Sequence, residues 1–195
     1  MPARSPARSR LNLLLGSALA LRFQRVGFLP DLYEGRHLLE EAAKRLTDAG
    51  VRSQAWLTLG RVRFELAHVS AATLLSDALQ AYENAQRDAD DAHGARPGSR
   101  TAARALYAQG CTLEFMGRTG AARRAFEQAH DRWQRLIASL TEVDWAEAGA
   151  PRERIGRLRE PGRGAEVRTD GQRPAEADRR RLAPPWWPFT GVKAG

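Results

Sequence analysis

In the run TAARALYAQGCTLEFMGRTGAARRAFEQAH, residues 101–130, small residues recur where two antiparallel helices would have to touch. Thr101 suits the cap of a first helix whose apolar residues include Ala105, Leu106, Leu113 and Met116. Gly117 ends that helix, because glycine tolerates the left-handed backbone a helix C-terminus asks for. Thr119 suits the cap of the return helix, which carries Ala122, Phe126 and Ala129 on one face at helical spacing. Gly110, Ala122 and Ala129 carry no bulk, so the two helices can approach closely, and Phe126 fills the space that is left. An ordinary hairpin in an Ala-rich chain would also contain small residues. The joint placement of the glycines and the aromatic favours a repeating unit.

The same grammar returns upstream. Trp56, Leu59 and Gly60 restate the opening of the unit, and Ala78, Tyr82 and Ala85 restate its second helix. Gly60 lies further from Ala78 than Gly110 does from Ala122, so this copy carries an extra helical turn or two. A first copy runs through Leu15, Gly16, Phe23, Gly27, Asp31, Leu32, Gly35, Leu39 and Ala42. Units of about 34 residues with glycine and alanine at fixed offsets are the mark of helical repeats, which cannot bury their apolar faces alone and stack on their neighbours.

These residues resemble the tetratricopeptide (TPR) repeat over about residues 9–140. The string LNLLLGSALALRFQRVGFLPDLYEGRHLLEEA, residues 11–42, is similar to the extended repeats that accompany bacterial CHAT domains in GC-rich genomes, with Val26 where that pattern has Thr and Gly35 where it has Ala. The resemblance implies an all-α fold: a right-handed superhelical stack of about three helix–turn–helix repeats, at 9–48, 52–88 and 100–140. It also implies a protein-binding role on the concave face formed by the first helix of each repeat. The caspase-like CHAT domain itself has no counterpart in the chain.

Hydrophobic periodicity predicts helices at 9–26, 30–48, 52–68, 70–88, 100–116 and 119–140, and no run alternates with the period of a strand. Pro30 suits a first helical turn and Gly50 a C-cap after Asp48. Residues 88–100, DADDAHGARPGSR, read as an enlarged loop between the second and third repeats. The expected organisation is a flexible basic arm at 1–8, a helical domain at 9–142 and a disordered tail at 143–195. From Ala150 onward Arg, Gly, Pro, Glu and Ala dominate, a composition that offsets little chain entropy by burial. The tail closes on RRRLAPPWWPFTG, residues 179–191, where arginines precede Trp186, Trp187 and Phe189. That pattern resembles short cationic Trp/Pro-rich peptides and suits an anionic surface, although a tail without a specific role is the simpler expectation.

The formal net charge is +8 and the pI about 10.8. Basicity is nonetheless spread thinly, and Lys44 and Lys193 are the only lysines, as coding bias toward Arg in a GC-rich bacterial genome would produce. No basic helix with base-reading side chains, zinc-ligand spacing or stacking platform appears, so specific nucleic-acid binding is not expected. Cys111 is the only cysteine, which excludes an internal disulfide. It falls mid-helix, and His37, His68, His93 and His130 lie in no local motif, so no nucleophile–base pair is suggested and no enzyme activity is expected. Glu34, His37 and Glu41 share a helical face, where a solvated face with charge pairs explains them better than a metal site. Gly162 and Gly164 have no strand-to-helix context for a phosphate loop. No cofactor is expected.

MPARSPARSR followed by LNLLLGSALAL also reads like the basic and apolar regions of a signal peptide with a cleavage site at Ala18–Ala20. Removing it would strip the first repeat helix from its partner, so the repeat reading and a cytoplasmic location are preferred, with export the alternative. Transferring the repeat register places Arg61, Phe64 and Glu65, and Arg104, Tyr107, Cys111, Glu114 and Phe115, on the concave face as partner-binding residues. The Lys and Asn pattern with which some relatives clamp a C-terminal carboxylate is missing. The expected function is a non-catalytic scaffold for a protein or peptide. The alternatives are a detached repeat arm of a larger CHAT-type protein and an exported or membrane-surface cationic protein.

Overall fold

The computed structural model describes residues 6–69, 74–93, 99–137 and 142–159. Seven helices follow in chain order: α1 (Pro6–Val26), α2 (Pro30–Arg45), α3 (Ala49–Val69), α4 (Leu74–His93), α5 (Arg100–Phe115), α6 (Thr119–Leu136) and α7 (Glu142–Arg159). No strand occurs among the described residues. The chain is all-α, and each helix packs chiefly on its chain neighbours, α1 on α2, α3 on α4, α5 on α6, with α2–α3, α4–α5 and α6–α7 joining the hairpins.

One contact is repeated in each hairpin. A Cβ built on Gly110 of α5 would run into the ring of Phe126 on α6. On Gly60 of α3 it would lie 2.5 Å from Cε1 of Tyr82 on α4, and on Gly16 of α1 2.8 Å from Cγ of Leu39 on α2. Leu39, Tyr82 and Phe126 are each followed three residues later by a wholly buried alanine, Ala42, Ala85 and Ala129. A glycine hole that admits one large knob from the return helix therefore sets each hairpin, and close packing makes such a hole intolerant of even one methyl.

The turns follow from local chemistry. Gly117 has φ +74°, its N–H donates to the carbonyl of Glu114 and that of Arg118 to Leu113, the paired bonds of a Schellman ending. Gly27, also at φ +74°, donates to the carbonyl of Phe23 at 2.6 Å in the simpler left-handed ending. Pro30 occupies the first turn of α2 as expected. Three cap assignments change. Asp48 begins α3 rather than ending α2: its Oδ1 accepts the Val51 N–H at 2.9 Å and its carbonyl accepts that of Arg52, so Gly50 lies inside α3. Ser99 and Arg118 occupy the N-cap positions of α5 and α6 without side-chain cap bonds, which puts Thr101 and Thr119 inside those helices.

The apolar interior is divided. One cluster joins α1, α2 and α3 through Leu32, Leu39, Leu59 and Leu66. A second joins α3, α4 and α5 around Phe64, Leu75, Tyr82 and Ala108. A third joins α5, α6 and α7 around Leu106, Phe126 and Ala150, and Trp133 packs beside it with Ala103 and Ala148. Arginine–carboxylate pairs cross between helices. Arg52 binds Asp88 of α4 at 2.6 and 2.8 Å while donating to the Leu46 carbonyl that closes α2. Arg63 reaches Glu40 of α2 at 2.9 Å and the Asp77 carbonyl of α4. Arg132 on α6 holds Asp90 of α4.

Three expected boundaries move. The basic arm expected at 1–8 enters α1 at Pro6, and Ser9 is already buried. The tail expected to be disordered from 143 begins instead with α7, which runs to Arg159 and packs on α6. Ala148, Pro151, Ile155 and Leu158 form its inward stripe at helical spacing, with Pro151 fully buried. Pro151 cannot donate a backbone hydrogen bond, and burial of its ring against the stack offsets that loss. The enlarged loop expected at 88–100 shrinks as well, since α4 extends to His93. The Trp186–Trp187 segment lies outside the described residues.

Candidate functional site

The residues expected to face a groove lie on α3 and α5, the first helices of the second and third hairpins, which touch one another. Phe64 lies in a tight aromatic cluster, with its ring centroid 4.5 Å from His68 and 5.9 Å from Phe115, both edge-on, while His68 and Phe115 are 4.6 Å apart. His68 is buried, and its Nδ1 lies 2.7 Å from the Phe64 carbonyl oxygen. Such a bond needs the proton on Nδ1. Phe64 and Ala108 share a cluster, so this contact joins α3 to α5.

Arg61 and Glu65 lie one turn apart on α3, Glu65 buried and Arg61 half-buried. Burial pulls the Arg61 guanidinium below its ordinary pKa, against the opposing pull of Glu65 and Tyr82. Burial raises the Tyr82 hydroxyl well above its ordinary value.

In the third hairpin the expected face is covered. Arg154 of α7, 2% exposed at its side chain, donates from Nε to the Tyr107 hydroxyl at 3.2 Å and from Nη1 to Glu114 at 3.0 Å. Burial works against the charge of Arg154, but Cys111, Tyr107 and Glu114 outweigh it and hold the group above its usual value. Tyr107 is raised by burial, and its ring lies 5.2 Å from Phe126. Cys111 is buried beneath them, and burial pushes its thiol up to about 12. A thiol held there is protonated at neutral pH and is a poor nucleophile or metal ligand.

Of the eight expected contact residues, Phe64, Glu65, Tyr107 and Cys111 are therefore internal, Arg61 is half-buried with Nε and Nη2 of its guanidinium enclosed, and Arg104, Glu114 and Phe115 are half-buried and reach the surface. This corrects the reading of Phe64 and Tyr107 as open groove aromatics. Each is covered by the next helix along the stack, Phe64 by α5 and Tyr107 by α7. His68 and Arg154 were missed. His68 lies one turn beyond Phe64 on the same face, a visible signal. Arg154 was hidden because its helix was not expected. Glu34, His37 and Glu41 lie on α2, where Glu41 pairs with Arg45 at 2.7 Å. Among the described residues no three of His, Cys, Asp and Glu come together in a way that would hold a metal ion.

No helix of the described residues is long and apolar enough to cross a membrane. Residues 11–20 are part of α1, whose Gly16 is seated on Leu39 and Gly35 of α2. The chain matches no protein-family model, no curated protein and no solved structure.

Proposed function

We propose that the protein is a non-catalytic scaffold of three tetratricopeptide-like repeats, α1–α2, α3–α4 and α5–α6, closed by α7 and holding a protein or peptide partner along its first helices. One observation carries the reading. The glycine hole and its knob recur in all three hairpins, while the first helices also touch one another, α1 on α3 and α3 on α5, more closely than the second helices do. A stack whose first helices converge is concave on their side, and concave faces of repeat stacks are where partners lie. Arg104, Glu114 and Phe115 reach that face, and Arg104 and Phe115 bring to it the arginine and aromatic side chains that most often carry interface energy.

Affinity capture with the intact chain, followed by titration of the recovered partner, tests it. Arg104→Ala should weaken binding by about 1–2 kcal/mol with little change in the melting midpoint, and Phe115→Ala should weaken it as well while also lowering the midpoint, since its ring packs on Phe64 and His68. Partners that bind both variants as tightly as the native chain would place the interaction elsewhere.

A further inference from the structure

The large apolar side chains that remain exposed among the described residues all fall in the first hairpin: Leu11, Leu14, Leu15, Leu21, Val26, Phe28 and Tyr33. The four leucines and Ala18 share one outward stripe of α1, with Leu14 68% and Leu11 61% exposed. Exposed Arg8 and Arg10 lie at one end of the stripe, and Arg22 and Arg25 at the other. The chain has no Asp or Glu before Asp31, so the acids that face this end come from α2. Asp31 binds Arg22 at 2.6 Å with Glu34 acting on it from further off, and Glu41 lines the same cleft as Arg8, while Arg10 and Arg25 add positive charge along the stripe. The opposite end is different in kind: the outward side of α7 carries exposed Arg152, Glu153 and Arg157.

Three occupants compete for such a face. An additional repeat-type helix is disfavoured by the register of the stack. With Gly16 aligned on Gly60, Leu15 and Ala18 correspond to Leu59 and Val62, which lie wholly buried, but Arg22 corresponds to buried Leu66. A helix laid on α1 in the manner of α2 on α3 would bury the guanidinium of Arg22, whose side chain is 58% exposed. A second copy packed α1 against α1 in the antiparallel sense would bring Arg8 and Arg10 against Arg22 and Arg25 of its mate, a repulsive pairing at both ends. A convex leucine ridge with arginines at both ends and aromatic side chains at the following turn instead matches the chemistry of an anionic lipid surface. There the leucines enter the acyl boundary and the guanidinium groups stay at the phosphates.

We propose that the first hairpin docks this protein on anionic membranes, with α1 lying in the plane of the surface. The rest of the stack, including the half-buried residues of α3 and α5, is then held off the bilayer.

Co-sedimentation of the full chain with phosphatidylcholine vesicles, with and without phosphatidylglycerol, tests this. Binding is expected only with phosphatidylglycerol, to weaken as salt rises, and to fall by on the order of tenfold or more in Leu11→Glu/Leu14→Glu. Both positions are exposed, so the helical signal and melting midpoint of that variant should match the native chain. In a second measurement a polarity-sensitive fluorophore is attached at Leu14→Cys. Cys111 is buried and escapes labelling. Emission should shift to the blue on anionic vesicles, while the same label at Arg124→Cys on α6 stays unchanged. Equal binding by Leu11→Glu/Leu14→Glu, equal binding to phosphatidylcholine alone, no binding, or a dimer that the double variant dissolves would each overturn the proposal. The first would move the contact to another part of the chain, and the last would make this face an interface between copies.

Discussion

At Gly110 the fold depends on the absence of one methyl group. The Phe126 ring occupies the space a Cβ would need, and Phe126 is itself wholly buried, with no room to retreat. Gly110→Ala should therefore destabilise by about 1–3 kcal/mol despite the better helix propensity of alanine. Combining it with Phe126→Leu, which shortens the knob, should cost less than the sum of the two single changes; strict additivity in a thermal-unfolding cycle would argue against direct contact. This part of the fold was legible, because hole and knob lie within one hairpin and announce themselves by size. Cys111 gives a second residue-scale expectation. Its thiol, ordinarily near 9.0, is pushed up to about 12 by burial. Below 9 both folded and unfolded chains keep the proton. From there upward the unfolded chain releases it and the folded one does not, so stability is lost progressively as pH rises toward 12. Tyr82 and Tyr107 act in the same direction at higher pH. Denaturant melts across that range should fall less steeply for Cys111→Ala, and a parallel decline would remove Cys111 from the account.

Among the elements, α7 is the one that sequence reasoning did not anticipate. Gly149, Pro151 and Gly156 interrupt its pattern, and the stripe Ala148, Pro151, Ile155 and Leu158 is built partly from residues that do not usually signal a helix interior. The burial of Tyr107 and the pairing of Glu114 were hidden for the same reason, since Arg154 is 40 residues further along than Glu114. The pairs of Arg52 with Asp88 and Arg132 with Asp90, 36 and 42 residues apart, likewise leave no local signature. Removing Arg154 tests the role of α7. Arg154→Met keeps much of the stem's bulk but leaves Glu114 and the Tyr107 hydroxyl without their donor. It should cost about 2 kcal/mol, since Glu114 retains some access to water. For a chain of this size that corresponds to a fall of roughly 4–8 °C in Tm. Truncation after residue 141 should cost more, because it also uncovers Trp133 and Phe126. A Tm unchanged by either would mean that α7 contributes nothing to the stack.

The whole molecule is held by neighbours. Its apolar interior is split among clusters that share few helices, the first confined mainly to α1–α3 and the last to α5–α7. Bidentate arginines on Asp88 and Asp90 fasten α4 to either side, to α3 through Arg52 and to α6 through Arg132. Arg63 and Arg154 are engaged in further cross-helix pairs, and charge on the flank of a stack speaks to solubility and steering rather than to fold.

That division of the interior bears on how the protein opens. Where each layer rests mainly on its neighbours, part of the stack can come apart while the remainder stays folded, and amide protons then exchange in blocks rather than all at once. The amides of α5, α6 and α7 should exchange together, with a free energy of opening below that of α2 and α3, because α7, which supports that end of the stack, lacks the backbone hydrogen bond that Pro151 cannot donate. Arg154→Met should lower protection throughout that block and leave the amides around Leu39 and Leu59 untouched. Native-state exchange followed by mass spectrometry reads both at once, and a uniform loss of protection along the chain would show a single cooperative unit instead.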